Sequence, residues 1–376
     1  MSQADAAVAG AASVAEDRIS VASNWTLVWW RFRRHKLAMA SLFVLALLYA
    51  IVLFPSFFST QDPERTDARQ AFIPMQGLHL FDEAWRLDPW VPGAVGKRNP
   101  VTLRMEWTND PSRKVRVGFF VEGEPYRVLG LFTARTHLIG PLDPTQRIFL
   151  LGSDRLGRDQ WSRIMHATQT SMTVGLIAVA LSTILGVVLG GISGYLGGIV
   201  DQVIQRLIEL LQSVPTIPIW LALSAALPRD WSPIQVFFAI TVILSLIGWT
   251  TLAREVRGRF LSLREEDFVL AARLAGASRM RIVLRHMVPT FSSHIIATAS
   301  LAIPVMIINE TSLSFLGLGI RPPAISWGVL LQEAQNIQTL ALAPWLLLPG
   351  LVVIVAVLAF NLVGDGLRDA SDPYST

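Results

Sequence analysis

The sequence predicts an all-α integral membrane protein with six transmembrane helices and one small β-containing insertion across the membrane from both termini. Three observations lead there. Hydrophobic residues make up 52% of the 376 positions and charged residues only 16%, against roughly a quarter charged in a soluble domain. Mean hydropathy is +0.46. Six stretches are apolar over close to the ~20 residues that a bilayer crossing needs. Cysteine is absent, which excludes disulfides and thiolate metal sites. The formal charge of +4 is spread along the chain, so no basic patch for nucleic acid is expected.

The chain opens on a polar segment, residues 1–36, ending in Trp25, Trp29, Trp30, Arg31, Arg33, Arg34 and Lys36. Tryptophans beside a basic cluster predict a helix lying at the inner membrane interface. The first span follows at Leu37–Phe54. It lies deep in the chain and ends in Pro55-Ser56-Phe57-Phe58, without a small-residue cleavage pattern, so a retained anchor is expected rather than a signal peptide.

Residues 55–150 change character, with many Pro, Gly, Arg and Asp and with Trp85, Trp90 and Trp107 scattered through them. A stretch this long is expected to be a folded insertion, not a loop. Val115–Val121 and Tyr126–Phe132 read as two strands, with Glu122-Gly123-Glu124-Pro125 turning between them.

Residues 151–369 carry the other five spans, near Thr170–Ile192, Leu207–Leu227, Ile234–Ala253, Val288–Leu318 and Trp345–Val363. Residues 370–376 form a short tail. Pro215 and Pro218 in the third span free backbone carbonyls that neighbours or water must satisfy. The fifth stretch exceeds one crossing and holds Pro289 and Pro304, which predicts a kinked or tilted helix. Arg206 and Glu209 are expected to form an interfacial ion pair.

Orientation follows from the basic residues of short loops, which mark the cytoplasmic side. Arg31 to Lys36 precede the first span, and eight arginines from Arg254 to Arg285 lie between the fourth and fifth. Both clusters face the cytoplasm only if both termini do. The arginines of Ser59–Arg147 do not conflict, because long segments translocate regardless of charge.

The loop at 254–287 is unusually ordered for a connection. Ser262 with Glu265 reads as a capping box, starting a helix near Leu263. Phe268, Ala271, Ala272 and Ala275 recur at helical spacing as a small apolar face. Gly276 supplies a positive φ that ends the helix, and Ser278 caps the next one. A compact helix with such a face, held outside the membrane, suits a groove on another protein.

From Asp267 through Ala271-Ala272, Gly276 and Pro289, that loop resembles the E-A-A…G…P signature of ABC-importer permeases. Leu270, His286 and Val288 stand where the signature has Glu, Ile and Leu. Leu151-Gly152-Ser153-Asp154-Arg155-Leu156-Gly157-Arg158-Asp159 is similar to the approach to the second span in oligopeptide and dipeptide permeases. The same class is resembled by Gly190-Gly191-Ile192-Ser193-Gly194-Tyr195-Leu196-Gly197-Gly198 with Asp201, and by Glu310 to Gly319 with Pro322-Pro323 and Ser326-Trp327-Gly328. Asn361 to Asp369 with Asp372-Pro373 completes the set. The resemblance covers about Ile148 to Pro373 and points to the C-type permease of the peptide, nickel and opine importers.

That resemblance implies six spans in a type I importer arrangement in the bacterial inner membrane. It implies a homologous second permease subunit, two ATPase subunits, and a periplasmic or lipid-anchored binding protein. ATP and Mg would be bound by the partners, since this chain has no Walker A sequence. Asp267, Phe268, Ala271, Ala272, Arg273, Gly276, Ala277 and Ser278 would then couple the spans to the ATPase. Peptide is the expected cargo, with opine, nickel or another small solute still open. The insertion would cap the partner permease or, less favoured, dock the binding protein.

Within the spans, Asn309, Glu310 and Ser312 are candidates for the translocation path, because an acidic residue in a span is a functional hypothesis by default. Alternatively Thr311 and Ser312 hold Glu310 in a structural role. Gly186, Gly190, Gly194 and Gly198 form a small-residue ridge for helix packing. Gly191-Ile192-Ser193-Gly194 also spells an intramembrane serine protease motif, but such a serine needs a histidine base. The expected spans offer only His294. Gly364-Asp365 lacks the second aspartate that an aspartyl site requires, and Asp365, Arg368 and Asp369 read as an exposed ionic cluster. A secondary transporter would need inverted repeats and charged coupling sites at mid-membrane, and neither is present in the sequence.

Overall fold

The structure is a computed structural model that describes residues 24–371 except 83–84, 102 and 229. Most of the polar leader and the Asp372-Pro373 pair therefore lie outside the described residues. Helix α1 (Asn24–Arg34) precedes α2 (Lys36–Leu53), and a one-turn α3 (Pro55–Phe58) follows. His35 Nδ1 accepts the Ala38 amide and caps α2. Trp29 and Trp30 are exposed, whereas Phe32 is buried, the one-sided pattern of an interfacial helix.

The insertion holds four antiparallel strands in sequence order: β1 (His79–Phe81), β2 (Leu87–Arg98), β3 (Met105–Val128) and β4 (Phe132–Pro141). The hairpin expected at Glu122–Pro125 is not there. β3 runs through that segment as a bulge and turns only at Leu129–Leu131, so its first half pairs with β2 and its second with β4. Val91, Val117, Ile139 and Ile148 make a small core beneath the sheet.

The membrane region continues with α4 (Gln160–Leu196), α5 (Gly198–Ser213), α6 (Thr216–Ala225) and α7 (Pro233–Leu263). Then come α8 (Asp267–Leu274), α9 (Ser292–Phe315), α10 (Trp327–Glu333), α11 (Ile337–Leu342) and α12 (Leu348–Ser371). Among the described residues, five helices are long and apolar enough to cross a bilayer. A sixth crossing exists if α5 and α6 count as one, but they meet at 86°. The continuous third span expected over Leu207–Leu227 is thus broken, and the break sits beside Pro215, whose ring cannot donate a helical hydrogen bond. The expected helix from Val288 is also interrupted: a π-helical segment, Ile282–Met287, leads to Pro289, and α9 proper begins at Ser292. Pro304 lies within α9 without ending it.

Three of the four ridge glycines pack as their spacing predicts, whereas Gly198 lies beyond α4, at the start of α5, with open space around it. A Cβ on Gly190 or Gly194 would overlap the backbone of Ala253 or Arg257 in α7, and one on Gly186 would press on Leu252. These helices meet backbone to backbone. One apolar core joins α2, α4, α9, α10 and α12 around Trp327, and a second joins α4, α6, α7 and α9.

Candidate functional site

The loop between α7 and α9 is a built unit. Its helix α8 starts at Asp267 with Glu266 as a cap that makes no side-chain hydrogen bond. The Ser262–Glu265 capping box is absent because α7 continues through Leu263. At the other end Gly276 adopts φ +78°. The Gly276 amide donates to the Arg273 carbonyl and the Ala277 amide to the Ala272 carbonyl, each at 3.0 Å. This is a Schellman motif. Ser278 Oγ then accepts the Arg281 amide at 3.3 Å and caps the next turn.

Val269 anchors α8, packing fully buried against Phe260, Ile282 and Met287. Ala272 and Ala277 are half-buried on the same cluster. The apolar face read from the sequence is therefore split: Ala272 turns toward the chain's own core, while Phe268, Leu270, Ala271, Leu274 and Ala275 face outward. Leu274 is 90% exposed. Asp267 and Ser278 are exposed as well, and the Arg273 guanidinium lies 5.9 Å from the Tyr195 ring centre.

Tyr195 belongs to the elbow between α4 and α5. There Asp201 accepts both forks of Arg257, Nε at 2.5 Å and Nη2 at 2.6 Å. Ser193 Oγ donates to the same carboxylate and accepts from Gln205 Nε2. Tyr195 also packs on the cluster that anchors α8, so the elbow and the loop lie side by side.

At the opposite end of α4, Asp159 caps the helix through the Ser162 amide. Arg163, 1% exposed, reaches Asp154 Oδ2 at 2.6 Å and Glu333 of α10 at 2.8 and 3.0 Å. Arg158 bridges the same two carboxylates at 2.7 and 2.9 Å. Burial works against the Glu333 carboxylate, but hydrogen bonds and charge from Arg163 and Arg158 outweigh it and hold its pKa below the ordinary value. This four-residue clamp ties the segment before α4 to the segment after α9.

Glu310 is fully buried in α9. Ser314 Oγ donates to it at 2.7 Å, and Thr311, Ser171 and Ser326 add their hydroxyls. Those groups come from α9, α4 and the cap of α10. Asn309 is half-buried and Ser312 exposed on other faces of the helix, so these three residues do not converge.

Residues 186–374 match the family model for the inner membrane component of binding-protein-dependent transport systems. The chain belongs to that family. Residues 23–75 also match the N-terminal transmembrane domain of oligopeptide transport permease C. The permease is 38% identical over 224 residues to a putative peptide permease protein of Brucella ovis, covering 59% of this chain and 72% of the relative. It is 35% identical over 239 residues to the oligopeptide transport system permease protein OppC of Bacillus subtilis, covering 63% and 76%. The solved structure of inward-facing MetNI, a methionine ABC transporter, covers 54% of this chain and 95% of its own at 14% identity and TM-score 0.40. The chain is a permease subunit of an ABC importer.

The protease motif finds no support in the permease geometry. Ser193 is held by Asp201 and Gln205, while His294 pairs with Glu255 at 3.3 Å. His166 also lies in a span, because α4 is longer than its apolar stretch, but it sits near the opposite end of that helix beside Ser56. Arg206 and Glu209 pair as expected, at 2.7 Å. Asp365, Arg368 and Asp369 are exposed near the end of α12. Sequence reasoning missed the clamp and the Asp201–Arg257 tie. Asp154, Arg158 and Asp201 stand in motifs, but their partners lie up to 175 residues away with no local pattern to reveal them.

Proposed function

We propose that this permease moves peptides, or a chemically related small solute, across the bacterial inner membrane by alternating access. Both termini and residues 254–287 face the cytoplasm, and the sheet faces outward. Six crossings follow if α5 and α6 together make one. A homologous permease subunit completes the path, two ATPase subunits supply the energy with ATP and Mg, and a periplasmic or lipid-anchored binding protein delivers the cargo. The peptide reading rests on the names of the Brucella and Bacillus relatives.

The observation that carries the mechanism is α8. Its exposed Phe268, Ala271, Leu274 and Ala275 form an uncovered apolar strip, set at a fixed angle by the Gly276 corner and fastened to α4 through Arg273 and Tyr195. Such a strip suits a groove on an ATPase subunit. Asp267 and Arg273 flank it, and Ala272, Ala277 and Ser278 hold its shape. Glu310, with hydroxyl partners from three segments, serves as a packing hub more readily than as a lining of the path.

Gly276→Val tests this reading. A β-branched residue at φ +78° is a genuine outlier, although the space around the position is open. The variant should insert in the membrane but lose ATPase co-purification and substrate-stimulated hydrolysis. Leu274→Asp should do the same without disturbing the fold, since that side chain touches solvent. Wild-type association and stimulation in both would make the loop a simple connector. Reporter fusions at Asn99 and Gly276 test the orientation and should report opposite sides.

A further inference from the structure

The β3–β4 hairpin carries apolar residues where neither folding nor solubility asks for them. Its turn is closed by the Leu131 amide on the Val128 carbonyl at 2.9 Å. Leu129 holds φ +49° and Gly130 φ +74° within the three-residue turn Leu129–Leu131, and left-handed turn positions favour Gly, Asn or Asp. A leucine there accepts backbone strain, and such an outlier points toward function. Leu129, Leu131 and Phe132 are exposed, Leu131 by 80%. Arg127 and Arg135 flank them, both exposed and neither in a salt bridge among the described residues. No acidic residue stands between them.

The root of this hairpin lies beside the end of the first apolar helix. Phe120 of β3, also exposed and at φ +55°, stands 6.1 Å from Phe57, just beyond the first span. Tyr126 shares a cavity of about 300 Å³ with Ser56 and His166, at the ends of α2 and α4. Three residue steps lead from Tyr126 to Leu129, a reach of about 10 Å. The tip therefore cannot stand far above the level where the spans leave the lipid.

We propose that the β3–β4 hairpin lies on the bilayer surface, with Leu129, Leu131 and Phe132 in the interface and Arg127 and Arg135 on anionic lipid headgroups. Apolar side chains rimmed by basic ones are the chemistry of interfacial anchoring, and arginines near such a surface gain from its negative potential. In the orientation proposed above this is the outer surface, but lipid contact is read by the test below whichever side the hairpin occupies. Neither family match includes residues 76–185, so this anchor belongs to a region outside the matched parts of the fold.

The chain has no cysteine, so Leu131→Cys accepts a single bimane label on an exposed side chain. The full-length chain would be placed in nanodiscs of phosphatidylcholine and phosphatidylglycerol, with and without a lipid spin-labelled near its headgroup. The spin label should remove roughly half of the fluorescence, as for an interfacial side chain. Replacing phosphatidylglycerol by phosphatidylcholine, or introducing Arg127→Glu with Arg135→Glu, should restore most of it. Absence of quenching in anionic nanodiscs would overturn the proposal. So would quenching that is indifferent to both lipid charge and the arginines. An emission change that arises only when a second permease subunit or a binding protein is added would overturn it too, and would make the tip a protein contact.

Discussion

At one end of α4 a guanidinium 1% exposed sits between Asp154 and Glu333, and Arg158 doubles each contact. At the other end the tie is a single pair, Asp201 at 15% and Arg257 at 31% side-chain exposure. The clamp fastens α4 to the segment after α9, whereas the elbow pair ties α5 to α7 and reaches α4 only through Ser193, and their physics differs. Charges taken out of water must keep their partners, because losing one leaves the other stranded. Charges that still touch water can part and re-form at modest cost. The clamp is therefore a fixed point, and the elbow beside α8 is where the permease can give.

Breaking the clamp should produce the largest effect. Arg163→Leu leaves Arg158 alone to balance the buried Asp154 and Glu333 and should destabilise by up to about 3–5 kcal/mol, seen as lost membrane abundance and a lower melting temperature. Arg163→Lys should rescue only part, since an ammonium cannot serve both carboxylates with a planar fork.

Glu333→Gln sharpens the contrast through pH. Because the fold holds this carboxyl below its ordinary pKa, its stabilisation is complete above the unfolded value of about 4.3 and fades as pH falls through the lowered one. Wild-type melting temperature, followed in detergent, should therefore hold through the mildly acidic range and drop below it. The part of that drop due to Glu333 should vanish in Glu333→Gln, whose melting temperature is lower already at neutral pH.

At the elbow, Asp201→Asn should cost less stability, about 1–2 kcal/mol for a charge-assisted pair near water. Its signature should instead be functional: altered stimulation of the ATPase at near-normal abundance. A loss of abundance equal to that of Arg163→Leu would erase the distinction between the two ends. Smallest of all, Arg273→Ala removes the contact with Tyr195, worth about 0.5–1 kcal/mol, and should be measurable only as weaker coupling.

How much of this was legible in the sequence depends on the range of each interaction. The first and last apolar helices, the Gly276 corner and the ridge of Gly186, Gly190 and Gly194 follow from local rules and lie where those rules put them, while Gly198 falls past the end of α4. The β3 turn is not legible because Gly123 and Pro125 look like turn residues and Leu129 does not. Pairing with β4 decided the register instead. The Ser262–Glu265 box failed because α7 had not yet ended. Hydropathy is blind to direction, so the sequence pattern alone makes the third span look continuous. The clamp was invisible because Glu333 and Arg163 meet only after α4, α9 and α10 have packed.

The glycine seam between α4 and α7 has a mechanical consequence. With no side chains between them at Gly190 and Gly194, neither rod can roll about its own axis without driving backbone into backbone. The 37 residues of α4 extend about 55 Å, from the fixed clamp to the yielding elbow. A push delivered at the loop therefore cannot be absorbed by twisting partway along. In the coupling proposed above, it would arrive at the far end as a tilt of the whole packed pair about Arg163.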